Sequence, residues 1–328
     1  MFDWFNWIAP PFARLYPNPN WQDASQIPDL HGKTAVVLGA NVGLGYETAL
    51  QLARKAAKVY VTARSAEKAE DTQKRLEIDL AKEGVTGVDI VPIALPLDDL
   101  KEVKKSAQQF LTIETKVDIL VNNAGVLDNE FKLTKDGIES HFAINYLSHF
   151  IWTTTLLPIV SQRARIVNVT SYAQTHGKAH FDLEKINDPK LEENNTWMKR
   201  YAHSKFAQVL FTRTLQTRVS PGVYVNCCHP GQVNTGLNRS VASYEAGIQG
   251  YLIRFAERIL GQSASVGALT QLYLATSPKV KELGIKGEYL VAVAKRAMNE
   301  VNPGALDDEL GKKFWIWTEE ILKEKLSE

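Results

Sequence analysis

Cysteine is nearly missing from this 328-residue chain, which carries only Cys227 and Cys228, side by side in an apolar run from Val223. Adjacent cysteines seldom bridge, because the disulfide geometry is strained there. Two thiols are also too few ligands for a metal site. They read as reduced core thiols, a state that suits the cytoplasm. An excess of either charge is missing too. The 38 basic and 37 acidic residues leave a net charge of +1, which gives no reason to expect a nucleic-acid partner. No run is long and apolar enough to span a bilayer, and the first residues lack the basic stretch of a signal peptide. A 45% hydrophobic and 23% charged composition fits a soluble globular protein of one large α/β domain with extensions.

What is present begins with aromatics. Phe2, Trp4, Phe5 and Trp7 open an irregular stretch rich in Pro and Asn over residues 1–30. They need burial against the parent domain or a second subunit. Peripheral membrane contact is the sharper alternative, because Trp favours the interface. Short apolar runs then alternate with helical patterns. Strands are expected at 34–38, 58–62, 88–94, 117–121, 165–170, 223–228 and 288–291. Helices are expected at 46–56, 67–81, 100–111, 137–157, 201–219, 266–276 and 307–326. Nearly continuous apolar strands between helices imply one doubly wound parallel sheet of Rossmann type, with helices on both faces. The expected organisation is an N-terminal extension (1–30), a catalytic domain (31–300) with a helical substrate-loop insertion (232–264), and a C-terminal helix (301–328).

After the first strand comes Gly39-Ala-Asn-Val-Gly43-Leu-Gly45, opening into a helix. Glycines allow a tight turn and close approach of backbone to a pyrophosphate, and the helix N-terminus supplies free N–H groups. A glycine-rich turn alone is a weak signal; its place between strand and helix strengthens it. The second strand ends at Thr62-Ala-Arg64 without the acid that would bind the 2′-hydroxyl of NAD. Arg64 stands where a 2′-phosphate would need a guanidinium, so NADP(H) is the expected cofactor.

Tyr201-Ala-His-Ser-Lys205 puts a phenol and an ammonium on one helical face. A tyrosine with its usual pKa of about 10 is a poor base at neutral pH, and a nearby ammonium lowers that value. The phenol can then pass a proton to or from a substrate oxygen. Ser171 follows a strand whose C-terminal end would line the crevice of an open sheet, where a hydroxyl can steady a developing charge. Asn145 lies mid-helix in an apolar stretch, either as a satisfied core amide or as the holder of a water that feeds protons toward Lys205.

Gly39-x3-Gly43-x-Gly45, Asn122-Asn-Ala-Gly125, Asn145, Ser171, Tyr201-x3-Lys205 and Pro230-Gly231 occur in the order of the short-chain dehydrogenase/reductase superfamily. The chain resembles that family from about Ile27 to Val291. Ile27-Pro-Asp-Leu-His-Gly-Lys33, His149-Phe, Phe181-Asp-Leu and His229-Pro-Gly resemble its retinol dehydrogenase and WW-domain oxidoreductase-like branch, fungal members above all. The resemblance implies that Gly39, Asn41, Gly43, Leu44 and Gly45 meet the pyrophosphate and adenosine side, and that Asn123 lies beside the ribose. It makes Tyr201 the acid/base, Ser171 the group that orients substrate, and Asn145 the holder of the relay water. Lys205 would also bind the nicotinamide ribose, and Val233 and Thr235 the carboxamide and phosphate end.

Two positions depart from the family pattern. Leu38 replaces the usual threonine, so its hydrogen bond to the Asn-Asn-Ala-Gly strand is expected to be lost, and Pro96 replaces an acid that would contact adenine. The function implied is hydride transfer between nicotinamide and an apolar ketone, aldehyde or secondary alcohol. Leu237, Tyr244, Tyr251 and Phe255 favour such a substrate over a charged sugar. A different class, an NADP(H)-binding regulatory or structural protein, shares the fold, but both Tyr201 and Lys205 are retained. Pairing through two long helices, as in family members, makes a homodimer compatible with the sequence, and the cytoplasm is the expected compartment, with membrane association through the N-terminus open.

Overall fold

The computed structural model describes residues 21–190, 196–233 and 262–327. The strands are β1 (Thr34–Val37), β2 (Lys58–Ala63), β3 (Ile90–Ala94), β4 (Val117–Asn122), β5 (Val160–Val169), β6 (Tyr224–Cys228), β7 (Tyr289–Val291) and β8 (Lys295–Arg296). They form one sheet in the order β3-β2-β1-β4-β5-β6-β7-β8. Pairing is parallel through β7, and β8 returns antiparallel, Leu290 opposite Arg296. The doubly wound parallel sheet is as expected. The short return strand is not, because two exposed charged residues carry no hydrophobic period to detect.

Alternate residues of the central strands feed two cores. Val36, Leu120 and Ile166 enter one, and Val37, Val121 and Val167 the other. Burial on both faces explains the unbroken Val/Ile/Leu runs. The first core lies under α3 (Leu100–Ile113), a helical stretch made of α4 (Ser140–Phe142), a π turn (Ala143–Leu147) and α5 (Ser148–Leu156), and the long α7 (Thr196–Gln216). The second lies under α1 (Gly43–Arg54), α2 (Ala66–Lys82) and α8 (Ala264–Thr276). Two short helices, α6 (Leu183–Ile186) and α9 (Pro278–Glu282), sit in connections.

Terminal helix α10 (Asp308–Ser327) drives Phe314 onto Tyr146 at 5.5 Å between ring centroids and Trp315 onto Phe211 at 5.7 Å. The Tyr146 hydroxyl also meets Thr318 Oγ1 at 2.7 Å. Helices α5 and α7 thus have an intramolecular aromatic cover. On the opposite face Trp21 is buried against Tyr273 and donates its indole N–H to the Leu269 carbonyl at 3.0 Å. The earlier aromatics, and most of the insertion expected at 232–264, lie outside the described residues.

The helix expected at 137–157 starts later. Gly137 has φ +69° in the preceding turn, and the Glu139 carboxylate accepts the Phe142 N–H at 2.9 Å, which caps the first turn. Asn145 falls inside the π turn, a wider helical turn that often marks functional positions. No helix among the described residues is long and apolar enough to cross a membrane.

Candidate active site

The order of strands reverses between β1 and β4, which opens a crevice at their C-terminal ends. The glycine turn lies there. Gly39 has φ +69°, and a Cβ on it would sit 2.8 Å from the Ala124 backbone. A Cβ on Gly45 would lie 2.2 Å from the Gly39 carbonyl oxygen. Both positions therefore require glycine for packing alone. Helix α1 has no side-chain cap and no acid in its first turn. By contrast, Ser65 caps α2 and Asp99 caps α3, each followed by a glutamate. The α1 terminus keeps its N–H groups and positive dipole end for something other than its own side chains.

Asn123 holds this turn together by donating from Nδ2 to the carbonyls of Leu38 at 3.1 Å and Gly39 at 3.2 Å. The threonine side-chain bond expected to be lost at Leu38 has no counterpart here, but the turn is tied to the Asn-Asn-Ala-Gly strand in another way. The tie runs in the other direction, from amide side chain to backbone, and the Thr62 hydroxyl also accepts the Gly39 N–H at 3.1 Å. Leu44 and Val233, expected at opposite ends of a cofactor, come together at Gly267, where a Cβ would strike both side chains. Thr235 lies outside the described residues, as do Leu237, Tyr244, Tyr251 and Phe255.

Arg64 is exposed just before the Ser65 cap and makes no ion pair or hydrogen bond among the described residues. Arg75, which the sequence did not single out, brings a second guanidinium to the turn and donates to the Asn41 carbonyl at 2.7 Å. Its only sequence signal was a place on the charged side of α2.

The second group of residues gathers over β5 and β6. Ser171 caps a short 3-10 turn through the Ala173 N–H at 3.2 Å, and its hydroxyl reaches the Tyr201 phenol. Burial pushes Tyr201 up to about 12, against the pull of that serine. Lys205 Nζ lies 5.6 Å from the centre of the Tyr201 ring. The expected lowering of the phenol by the ammonium does not emerge at this distance; burial raises the phenol, and it acts on the lysine as well. Burial pushes Lys205 down to about 7, with the Cys228 thiol acting the other way.

Lys205 donates to the Val169 carbonyl and to Gln208 Oε1, each at 3.0 Å. Asn145 uses both ends of its amide inside the protein. Its Oδ1 accepts the Val126 N–H at 2.8 Å, and its Nδ2 donates to the Val126 carbonyl at 3.1 Å and to Ser204 Oγ at 3.0 Å. Its Oδ1 has a second lone pair that could still accept from a water. Asn145 and Lys205 still converge, since a Cβ on Gly125 would lie 3.3 Å from Asn145 Oδ1 and 3.5 Å from Lys205 Nζ.

A buried ionic cluster flanks the phenol. His141 packs edge-on to Tyr201 at 6.0 Å, and its Nδ1 meets Glu139 Oε1 at 2.7 Å while its Nε2 accepts the Asp128 N–H at 3.0 Å. Burial raises the Glu139 carboxyl, but the bonds from His141 and the Phe142 N–H bring it below its usual range. Arg200 Nε lies 3.5 Å from the same carboxylate. Ala173 and Ala202, with Leu127 against them, add a small apolar side to the surroundings of the phenol.

A sequence profile described as short chain dehydrogenase matches residues 33–183. Human retinol dehydrogenase 14 is 34% identical, over 94% of this chain and 92% of its own length. The chain belongs to the short-chain dehydrogenase family. It is an oxidoreductase of the retinol-dehydrogenase-like branch, and an uncharacterized oxidoreductase of Schizosaccharomyces pombe is also 34% identical, over 93% of this chain and 89% of that one. Among solved structures, a putative uncharacterized protein from Mycobacterium paratuberculosis superposes with a TM-score of 0.70 at 26% identity, covering 92% of this chain and 98% of that one. A short chain dehydrogenase from Burkholderia cenocepacia in complex with NADP has a TM-score of 0.60 at 24% identity, covering 81% of this chain and 98% of its own. The family takes a nicotinamide cofactor and a small substrate. The uncapped α1 terminus beside the tight Gly39–Gly45 cradle fits the diphosphate of such a cofactor.

Proposed function

We propose that this oxidoreductase uses NADP(H) to interconvert an apolar ketone or aldehyde and its alcohol, with Tyr201 as general acid/base. One observation carries this reading. The Tyr201 phenol, the Ser171 hydroxyl that reaches it and the Lys205 ammonium meet at the C-terminal ends of β5 and β6. The bound nicotinamide supplies the hydride for reduction and takes it up in oxidation. Tyr201 donates its proton to the carbonyl oxygen as that oxygen gains charge. Ser171 would turn its hydroxyl hydrogen from the phenol to the same carbonyl oxygen and steady the charge that develops there. Lys205, in its protonated form, would place positive charge near the phenol and favour the phenolate that proton donation leaves behind. Asn145 keeps the 126 loop and α7 in register around that lysine.

Gly39, Asn41, Gly43, Leu44 and Gly45 would line the diphosphate and adenosine side, and Asn123 would keep that turn in shape. Val233, with Thr235, would border the nicotinamide end. Arg64, without an ion pair among the described residues, and the lack of an acid at the end of β2 favour a 2′-phosphate and hence NADP(H) over NAD(H). Leu127, Ala173 and Ala202 around the phenol favour a substrate that is apolar near its reacting carbon.

The test is NADPH consumption against a panel of apolar aldehydes and ketones, with NADH as the rival donor and Tyr201→Phe beside the parent. The reading requires turnover that prefers NADPH and that the substitution removes. No turnover on any carbonyl, despite NADPH binding, would instead favour a protein that uses the nucleotide as a structural or regulatory ligand.

A further inference from the structure

Helices α5 and α7 are joined by polar side chains at matching intervals. Asn145, His149 and Thr153 recur every four residues on one stretch, and Ser204, Gln208 and Thr212 every four on the other. Four residues bring a side chain back to the same helical face. The first pair is Asn145 Nδ2 donating to Ser204 Oγ at 3.0 Å. One turn on, Gln208 Nε2 meets His149 Nδ1 at 3.1 Å. At the third turn two sheet amides bridge the gap. Asn122 Nδ2 donates to Thr153 Oγ1 at 2.8 Å and to Asn168 Oδ1 at 2.7 Å, and Asn168 Nδ2 donates to Thr212 Oγ1 at 2.8 Å. All these side chains are buried.

The middle pair differs from the others because it also grips a charge. Gln208 Oε1 accepts from Lys205 Nζ at 3.0 Å. An amide whose oxygen faces the ammonium must turn its NH2 the other way, so Gln208 donates to His149 Nδ1, and the imidazole keeps its proton on Nε2. A flipped amide would point two donors at an ammonium. Lys205 therefore fixes the orientation of Gln208, and Gln208 in turn fixes the tautomer of His149, whose amide-facing nitrogen takes up the remaining donor. Gln208 and the Val169 carbonyl then occupy two of the three ammonium hydrogens. The third is left for the side of Gly125 and Tyr201.

We propose that Gln208, bridging Lys205 and His149, is a positioning residue that aims the Lys205 ammonium at the reacting phenol. This rests on the reading of Tyr201 and Lys205 as catalytic residues. Gln208 touches neither substrate nor cofactor in this role; it acts through the lysine. The titratable groups facing Lys205 are Tyr201 on α7, His149 on α5, and Cys228 and His229 at the end of β6.

The experiment uses the full chain with 13Cε-labelled lysine. The Lys205 signal is assigned by its loss in Lys205→Arg, and its titration is followed by NMR in the parent, Gln208→Leu, Gln208→Glu and Thr212→Val. Removing the acceptor should lower the Lys205 midpoint by about one pH unit, and adding a carboxylate should raise it by about as much. In Gln208→Leu, kcat should fall by roughly tenfold or more with a much smaller change in KM for NADPH. Thr212→Val removes the bond from Asn168 and the one Thr212 gives to the Gln208 backbone carbonyl, while leaving the Gln208 side chain and Lys205 in contact, so its melting temperature should fall while the midpoint stays in place.

Midpoints in both Gln208 variants that match the parent would overturn the proposal, as would shifts equally large in Thr212→Val. Should Gln208→Leu not fold, Gln208→Glu keeps the side-chain shape and decides alone. The NMR readout needs no turnover. Shifted midpoints in a protein that reduces no carbonyl would therefore count against the catalytic reading and leave the grip of Gln208 on Lys205 standing.

Discussion

At the β1–α1 turn the crevice is lined by backbone, with glycines that admit no Cβ, an uncapped helix end, and an amide side chain spent on two carbonyls. At α7 it is lined by side chains, a phenol, an ammonium and their buried amide and imidazole supports. The first region is selected by shape and dipole, so its residues matter for what they leave out. The second is selected by chemistry, so each group matters for what it donates or accepts. Substitutions should separate the two: at the turn, folding and nucleotide binding fail together, whereas at α7 turnover fails in a folded protein.

The largest expected effect lies at the chemical end. Tyr201→Phe removes the proposed proton donor and should lower kcat by about a hundredfold or more. Its melting temperature and NADPH affinity should stay near those of the parent, as differential scanning fluorimetry with and without nucleotide will measure. The turn comes next. Gly45→Ala forces a Cβ against the Gly39 carbonyl, so it should destabilise by about 2 kcal/mol or more and weaken NADPH binding in the same preparation. A stable Gly45→Ala protein with normal NADPH affinity would break the contrast.

Arg64→Glu sharpens it, because Arg64 is the side chain proposed to select the cofactor at the nucleotide end. The KM for NADPH should rise by roughly tenfold while that for NADH changes little, as steady-state rates with each donor will show.

The smallest effect is one of pH. Burial, with Lys205 adding to it, pushes His149 down to about 3. The unfolded chain therefore binds a proton here that the folded chain refuses, and stability falls as pH drops from about 6.5, the value for free histidine, toward 3. His149→Gln keeps a partner for Gln208 and cannot be protonated. Its stability should lose less over that window, measured by urea unfolding at several pH values. His229, pushed down to about 4 by burial and by Lys205, remains to contribute the rest of the acid sensitivity.

The fold was legible because strands buried on both faces leave unbroken apolar runs, and because Gly39–Gly45 and Tyr201-x3-Lys205 are local patterns. Element ends were less legible. The start of α4 depends on a carboxylate cap from Glu139 after a left-handed glycine, and β8 is too short to have a period. Gln208 carried a faint signal, seven residues after Tyr201 and so on the same face. Nothing local joined it to His149, because the pair is made across two helices. Glu139, His141 and Arg200 were invisible as a cluster for the same reason.

The sequence by itself determined the alternation of elements, the glycine turn and the phenol–ammonium spacing, since each depends on neighbours within one or two turns of chain. Tertiary structure alone decided which groups carry charge. Whether Lys205 sits near 7, whether Tyr201 sits near 12 and which way the Gln208 amide faces depend on burial and on partners up to 59 residues away. Desolvation and hydrogen-bond direction are properties of three-dimensional surroundings, and no spacing along the chain encodes them.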